Sequence, residues 1–376
     1  VVKSLAELEQ QTVTTLVMEE LAMPRETKIL MRGEYTKPGA VVTAETPASL
    51  PPMAQNLPKN RLGLARWLVD PGHPLTARVI VNRLWQQLFG AGLVRTSEDF
   101  GVQGEVPSHP ELLDWLALEF VRSGWDVQHM LRLMASSAVY RQSSVVTESL
   151  RQRDPDNRWL ARGARFRLQA EFLRDQALCV SGLLVRKVGG PSVKPYHPAG
   201  LYEQVTAGSG TNVYVEGQGE DLYRRSLYTY WKRSVPHPAM LLFDAPFREA
   251  CTLRRSRTNT PLQALNLLND PTWIEAGRML AGRMLAESAA GADLRSQLRY
   301  GFRLVLIREP EERELEVLRL GYERVLGEFR ASPGEAEALL RVGAARSGTG
   351  TAEVELAALT VTAGVILNLH ETVTRE

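Results

Sequence analysis

The clearest feature of the chain is a helical pattern of apolar residues that recurs in two blocks. In the first block, Val81, Leu84, Trp85 and Leu88 lie three or four residues apart, and Gly90 follows where a helix would end. Capping residues, prolines and glycines delimit further helices near residues 60–69, 109–122, 126–137 and 168–184. Short connections between helices are typical of antiparallel neighbours, so this block is predicted to be a helical bundle.

The second helical block covers residues 251–376, and a different kind of sequence separates it from the first. Residues 189–250, the central region, are rich in Gly, Pro and Tyr, with short candidate strands only at residues 213–215 and 226–231. Long loops without order are uncommon inside a compact domain. We therefore expect the central region to be an ordered excursion that has a function or forms an interface.

The N-terminal region combines a predicted helix over residues 4–22 with an extended, proline-rich segment that cannot bury itself and must lie on a neighbour. The predicted fold is therefore mainly α. It divides into an N-terminal helix with a wrapping segment, a helical bundle, a central excursion with a little β structure and a C-terminal helical block, at residues 1–58, 59–188, 189–250 and 251–376.

Composition and charge narrow the function classes. The 376 residues are 44% hydrophobic and 23% charged, with a formal net charge of +2. Basic residues are spread along the chain, so a nucleic-acid partner is not expected. No apolar run approaches the roughly 18 residues of a membrane span, and the first residues have no signal-peptide pattern.

Metal and haem sites have no local support in the sequence. Cys179 and Cys251 are far apart, and the chain has no CxxC, no CxxCH and no paired histidines at metal spacing. We expect no metal and no cofactor in this chain. A disulfide between the two cysteines is left open.

A strong helix start lies at Thr260, which is predicted to be the N-cap. Pro261 follows as the first helical residue and Gln263 as the third, which completes a capping box.

Three candidate binding residues, Arg254, Arg255 and Arg257, directly precede this helix start. Guanidinium groups beside a helix N-terminus are suited to a carboxylate, sulfate or phosphate, which is either a ligand or the protein's own acid. The sequence from Cys251 to Leu265 contains no Asp or Glu. We predict that distant carboxylates hold at least two of the arginines, and that the third points to the rim of a pocket formed by the central region.

His109 and Asp99 are the candidate catalytic residues. His109 lies at a helix start near Asp99, Glu105 and Glu111, where a carboxylate could orient it as a general base. An oriented structural histidine at the same position is the competing interpretation.

A second set of candidate binding residues is aromatic: Tyr228, Tyr230 and Trp231, which lie between the basic pairs Arg224-Arg225 and Lys232-Arg233. Aromatic faces stack on sugar rings and arginine forks match sulfate or uronate, which would make this cluster an anionic-glycan surface. The competing interpretation is a strand whose alternate residues are core.

Five motifs occur together and in order: Asn82-Arg83-Leu84-Trp85, Ser97 to Gly101, Ser108 to Trp115, Gly189-Gly190-Pro191-Ser192-Val193 and Thr258 to Leu265. They resemble the planctomycete PSD-type domain of unknown function (DUF1553), from about Pro24 to the end of the chain. One departure is His370, where the family usually has Asp.

The resemblance implies a C-terminal module of an exported multidomain protein, periplasmic or at the cell surface. Upstream domains of the same polypeptide, including a cytochrome c-like module with haem c, would then be its partners. The family has no established catalytic residues to carry over. The leading hypothesis is an accessory module that binds a carbohydrate or a partner domain, with the cytochrome module as one candidate. The alternative is an enzyme acting on anionic or sulfated polysaccharide.

Overall fold

The computed structural model describes residue 12 and residues 14–205, 213–288, 293–346 and 353–375. The backbone contacts divide the chain into two compact units. The first contains Val1–Asn82 and His109–Met130, and the second contains Arg83–Ser108 and Leu131–Glu376. The division into four segments drawn from the sequence stays a prediction.

The structure is mainly helical, which confirms the predicted fold class. The α-helices are α1 Arg61–Leu68, α2 Thr76–Phe89, α3 Pro110–Arg122, α4 Val127–Ser136, α5 Glu148–Arg153, α6 Ala170–Val180, α7 Leu201–Val205, α8 Pro238–Leu242, α9 Pro261–Asn269, α10 Pro271–Glu287, α11 Leu294–Leu306, α12 Glu312–Ala331, α13 Pro333–Leu340, α14 Glu353–Leu367 and α15 His370–Val373. The strands form two antiparallel pairs, β1 Thr27–Leu30 with β2 Pro38–Val42 and β3 Phe166–Arg167 with β4 Thr374–Arg375.

The helix predicted for residues 4–22 is wrong where it can be checked. Residues 1–11 and 13 lie outside the described part of the chain, whereas residues 14–22 are not helical. Leu16, on the predicted apolar face, is fully exposed. A short helix is marginal in water without a surface against which to bury its apolar side, which explains the failure of the pattern.

The extended segment after this region contacts α1 near its end, whereas almost all of residues 24–50 are exposed. The indole N–H of Trp67 donates to the carbonyl of Pro51 (2.8 Å). Asn60 caps the helix by accepting a hydrogen bond from the N–H of Gly63 (3.1 Å). A Cβ at Gly63 would lie 1.9 Å from the carbonyl oxygen of Pro58, so only glycine permits this close approach.

The second unit has its core around α10 and α14, which pack against each other along their length. Leu280 and Met284 of α10 and Leu359 and Ile366 of α14 are buried there. Helices α11 and α12 add further apolar side chains to the same cluster. Met240, Phe243 and Ala245 belong to the same cluster, so this core supports the end of the central region.

The central region is ordered in its described part but lacks the predicted strands. Residues 213–215 are irregular, and Ser226–Tyr228 is a 3-10 helix. The β structure here consists of isolated bridges, such as Val193 with Thr229.

Arg224 holds the loop at Gly189-Gly190-Pro191 in place through long-range hydrogen bonds. Its buried guanidinium donates to the carbonyls of Lys187 (3.2 Å), Gly189 and Pro191 (3.0 Å), and it stacks on the ring of Tyr228 at 3.9 Å. The Gly-Gly-Pro loop is therefore wrapped around a side chain from a segment more than 30 residues later.

Candidate functional site

The end of α2 fixes the segment that carries the candidate arginines, residues 252–257, called here the arginine segment. Helix α2 ends at Phe89, and Gly90 then adopts a left-handed conformation with φ +82°. The N–H of Gly90 donates to the carbonyl of Gln86 (2.9 Å). The side-chain amide of Gln86 donates in turn to the carbonyl of Leu253 (3.1 Å), which ties the arginine segment to the helix.

Two of the three arginines pair with distant carboxylates, as the absence of local acids predicted. Arg254 contacts Glu98 (3.1 Å), and Arg255 contacts Glu171 of α6 (2.6 Å). The side chains of the first pair are 61% and 49% exposed, those of the second 28% and 21%. Because solvent screens exposed ion pairs, the first pair contributes little and the second holds the segment more firmly.

Arg257 has a different kind of partner. Its guanidinium donates to the carbonyl of Gly90 (3.0 Å) and lies 4.3 Å from the centre of the Phe166 ring. Within the described residues it makes no ion pair with a carboxylate. Burial lowers the pKa of Arg257, but a guanidinium stays charged at any physiological pH. The side chain therefore caps the C-terminus of α2 and keeps its charge without a counter-ion.

All three arginines line one cavity of about 350 Å³, called here the arginine cavity. The sequence did not predict this shared cavity, because the rest of its lining comes from distant parts of the chain, near residues 86–90 and at Gln169. Among the described residues the lining contains no carboxylate; it is Gln86, Gln87, Gly90, Gln169, Thr252, Leu253, Arg254, Arg255 and Arg257.

The cavities that the arginines border differ in part from the prediction that the unpaired arginine lies at the rim of a central-region pocket. A cavity bordered by residues 241–250 of the central region contains Arg254 and Arg255 in its lining, the two arginines held by acids. Arg257 lines a cavity formed by the end of α2 and residues 144–166. It also borders a cavity of about 10 Å³ beside Phe243 and Asp244 of the central region, which is too small for a ligand.

The predicted capping box at Thr260 is wrong, although the helix start is right. Thr260 is the N-cap and Pro261 the first helical residue, but the hydroxyl of Thr260 makes no cap hydrogen bond. The amide of Gln263 is fully buried and donates to the carbonyl of Leu242 (2.8 Å) and to the hydroxyl of Thr258 (3.0 Å). Tertiary contacts have therefore replaced the local hydrogen bond.

The two candidate catalytic residues belong to different compact units, His109 to the first and Asp99 to the second. His109 is the N-cap residue of α3. The carboxylate of Asp99 accepts a hydrogen bond from the N–H of Gly101 (2.7 Å), the arrangement of an Asx turn. A catalytic role for either residue stays a prediction.

The three candidate aromatic residues have separate structural partners. The hydroxyl of Tyr228 accepts a hydrogen bond from the N–H of Gly189 (2.8 Å). The indole of Trp231 donates to the carbonyl of Phe247 (3.2 Å) and packs against the core, whereas Tyr230 is 37% exposed. These contacts support a structural role for Tyr228 and Trp231, and glycan binding by the three residues stays a prediction.

A histidine pair in the central region escaped the sequence analysis. His237 is buried, and its Nε2 lies 2.9 Å from the carbonyl of Tyr196. The ring of His197 lies 5.7 Å from that of His237 and stacks on Tyr214 at 4.4 Å. Their separation in sequence gave no signal that they would meet.

Cys179 and Cys251 are both exposed free thiols. Within the residues that the structure describes, no group of three His, Cys, Asp or Glu side chains could hold a metal ion. None of the helices in those residues is long and apolar enough to cross a membrane.

Comparison with known proteins identifies one family. A family model described as PSD1, protein of unknown function (DUF1553), matches residues 60–321, which is more than half of the chain. The comparisons with curated proteins and with solved structures gave no match.

Proposed function

The chain belongs to the DUF1553 family, and we propose that it is an accessory module that binds an anionic group of a carbohydrate in the arginine cavity. The observation that supports this most strongly is the convergence of Arg254, Arg255 and Arg257 on one cavity whose described lining has no carboxylate. An exported multidomain parent and a cytochrome partner follow from the family resemblance and are part of the proposal.

The chemistry of the lining suits a sulfate or a uronate. Guanidinium groups present paired N–H donors that match the oxygens of both groups. Gln87 and Gln169 add amide groups, which already hydrogen-bond each other across the cavity lining (2.9 Å) and would pair with sugar hydroxyls. The volume of about 350 Å³ lies at the lower end of the range of small-molecule sites.

The internal ion pairs leave charge available to a ligand. The exposed pair between Arg254 and Glu98 is worth on the order of 0.2–1 kcal/mol, so an incoming sulfate would compete with Glu98 at low cost. Arg257 is bonded to a neutral carbonyl, and its positive charge is not cancelled by that contact. Arg255 is the most firmly held of the three and would orient the segment.

The enzyme hypothesis has weaker support. It requires His109 to act with an orienting carboxylate, and the carboxylate of Asp99 is engaged by the backbone of its own turn. Binding is therefore the function that the described contacts favour.

Isothermal titration with inorganic sulfate, a sulfated heparin disaccharide and neutral maltose tests the proposal. We expect Arg254→Gln and Arg257→Gln each to weaken disaccharide binding about ten-fold, because a hydrogen-bonded contact to a charged group contributes roughly 1.5–3 kcal/mol. Arg313→Gln is the matched control, since Arg313 is exposed on α12, lines none of these cavities and its loss changes the net charge equally. Equal weakening by all three variants, or equal binding of maltose, would show that the cavity is not the site.

A further inference from the structure

Two cavities large enough for a ligand adjoin the arginine cavity along the arginine segment, and we infer that the three cavities together bind a linear anionic polysaccharide chain. This inference rests on the proposed function and extends it from one charged group to several consecutive ones. It requires a polysaccharide to occupy all three cavities, whereas the proposed function requires only one bound anionic group.

Shared lining residues show that the cavities adjoin. The arginine cavity shares Gly90 and Arg257 with a cavity of about 280 Å³, called here the α2-side cavity. It shares Thr252, Arg254 and Arg255 with a cavity of about 390 Å³, called here the central-region cavity. Each cavity has about the volume of a small-molecule site. Three adjoining cavities of this size therefore fit a chain of several sugar units better than a single compact ligand.

The α2-side cavity is also lined by several arginines. Arg95, Arg158 and Arg162 line it together with Arg257. Arg162 is 9% exposed and donates to two backbone carbonyls, those of Asp154 (2.8 Å) and of the next residue (2.7 Å), so its charge is not cancelled by a contact.

Two further arginines of this cavity, Arg95 and Arg158, are paired with acids near the surface. Arg95 lies 3.1 Å from Asp156, and Arg158 lies 3.6 Å from Glu105. The side chains of Arg158 and Glu105 are 46% and 45% exposed, so a sulfate could replace the glutamate without leaving a buried charge.

The central-region cavity adds Arg248, whose guanidinium lies 4.2 Å from the centre of the Trp231 ring. Asp244 also lines this cavity, but its carboxylate accepts hydrogen bonds from the N–H (2.7 Å) and hydroxyl of Thr258. Thr258, the residue after the arginine segment, thus holds this acid. The other acid of the lining, Glu249, is exposed, and Arg254 has only its exposed pair with Glu98, so Arg248 and Arg254 remain accessible to a ligand.

The occupant that these features favour is a glycan, not a single-stranded nucleic acid. Binding of single strands relies on free aromatic faces on which bases stack. In the α2-side cavity Trp85 is stacked on Phe89 at 3.8 Å, and Phe166 lies against both Arg257 and Arg375. Among the described lining residues this leaves the exposed ring of Phe247 in the central-region cavity, whereas successive stacked bases would need several. Arginine forks and amide groups, the remaining donors, match sulfates, carboxylates and hydroxyls.

A length series tests the inference. We would measure the affinity of the full chain for heparin oligosaccharides from disaccharide to decasaccharide, and for polygalacturonate oligomers of the same lengths. The expected result is an affinity that rises with length in at least one series until the chain spans all three cavities. Arg158→Gln and Arg248→Gln should each weaken decasaccharide binding about ten-fold and disaccharide binding far less, while Arg313→Gln should weaken neither.

The outcomes separate the two proposals. Absence of disaccharide and sulfate binding would refute the proposed function itself. Disaccharide binding that depends on Arg254, without a rise in affinity with length or without an effect of Arg158→Gln and Arg248→Gln, would overturn only the extended site. Tighter binding of an oligothymidylate than of the decasaccharide would also overturn it, in favour of a nucleic-acid partner.

Discussion

Acidification should destabilise this protein through one buried histidine, His237. Burial lowers the pKa of its imidazole to about 4. The hydrogen bond with the carbonyl of Tyr196 opposes this lowering of the pKa, whereas the nearby side chains of Arg174 and His197 add to it. The folded protein therefore holds His237 neutral at a pH where the unfolded chain would protonate it.

The direction and size of the effect of pH on the free energy of unfolding follow from the difference in proton binding between the folded and unfolded states. The unfolded histidine titrates near 6.5, so the folded state binds fewer protons between about pH 6.5 and pH 4. Stability from the neutral ring is fully present above pH 6.5 and is lost as pH falls through 4. A difference of about 2.5 pKa units corresponds to about 3.4 kcal/mol, of which about 3 kcal/mol is lost by pH 4.

Urea unfolding at pH 7.5 and at pH 4 provides the assay. His237→Gln removes the titration but keeps an N–H donor for the carbonyl of Tyr196. We expect the wild type to lose about 3 kcal/mol more than His237→Gln between the two pH values. His370→Gln, at an exposed position of α15, is the control for histidine replacement, and its loss between the two pH values should be closer to that of the wild type than to that of His237→Gln. Equal losses in the wild type and His237→Gln would refute the reasoning, because the acid sensitivity would then arise elsewhere.

Two further predictions concern the second unit. Glu275→Gln should cost about 3–5 kcal/mol in urea unfolding, because it leaves the buried charge of Arg278, 3.7 Å away, without its carboxylate; a loss under about 1 kcal/mol would contradict this. Gly90→Ala should cost about 1–2 kcal/mol, since φ is +82° and the new Cβ would lie 2.8 Å from Phe166, whereas Gly321→Ala, in an open interior position of α12, should stabilise by up to about 1 kcal/mol. The same sign for both glycine variants would show that the conformation of Gly90 is not what matters.

The sequence alone determined features that depend on neighbouring residues. Asn60 caps α1 and Gly90 follows the end of α2 because a side-chain oxygen and a missing Cβ act within a few residues. The pairing of at least two of the three arginines with distant acids was also predictable, since unpaired buried charge is costly and the segment has no acid of its own, but the sequence did not say which two.

The tertiary structure alone decided which distant groups meet. It selected Glu98 and Glu171 as the partners, directed Gln263 away from its local cap, and brought His197 beside His237. No short-range pattern encodes these choices, because each depends on where a separate part of the chain is held by the core. The arginine cavity is the same kind of feature: its residues come from α2, the start of α6 and the arginine segment, and only packing makes them neighbours.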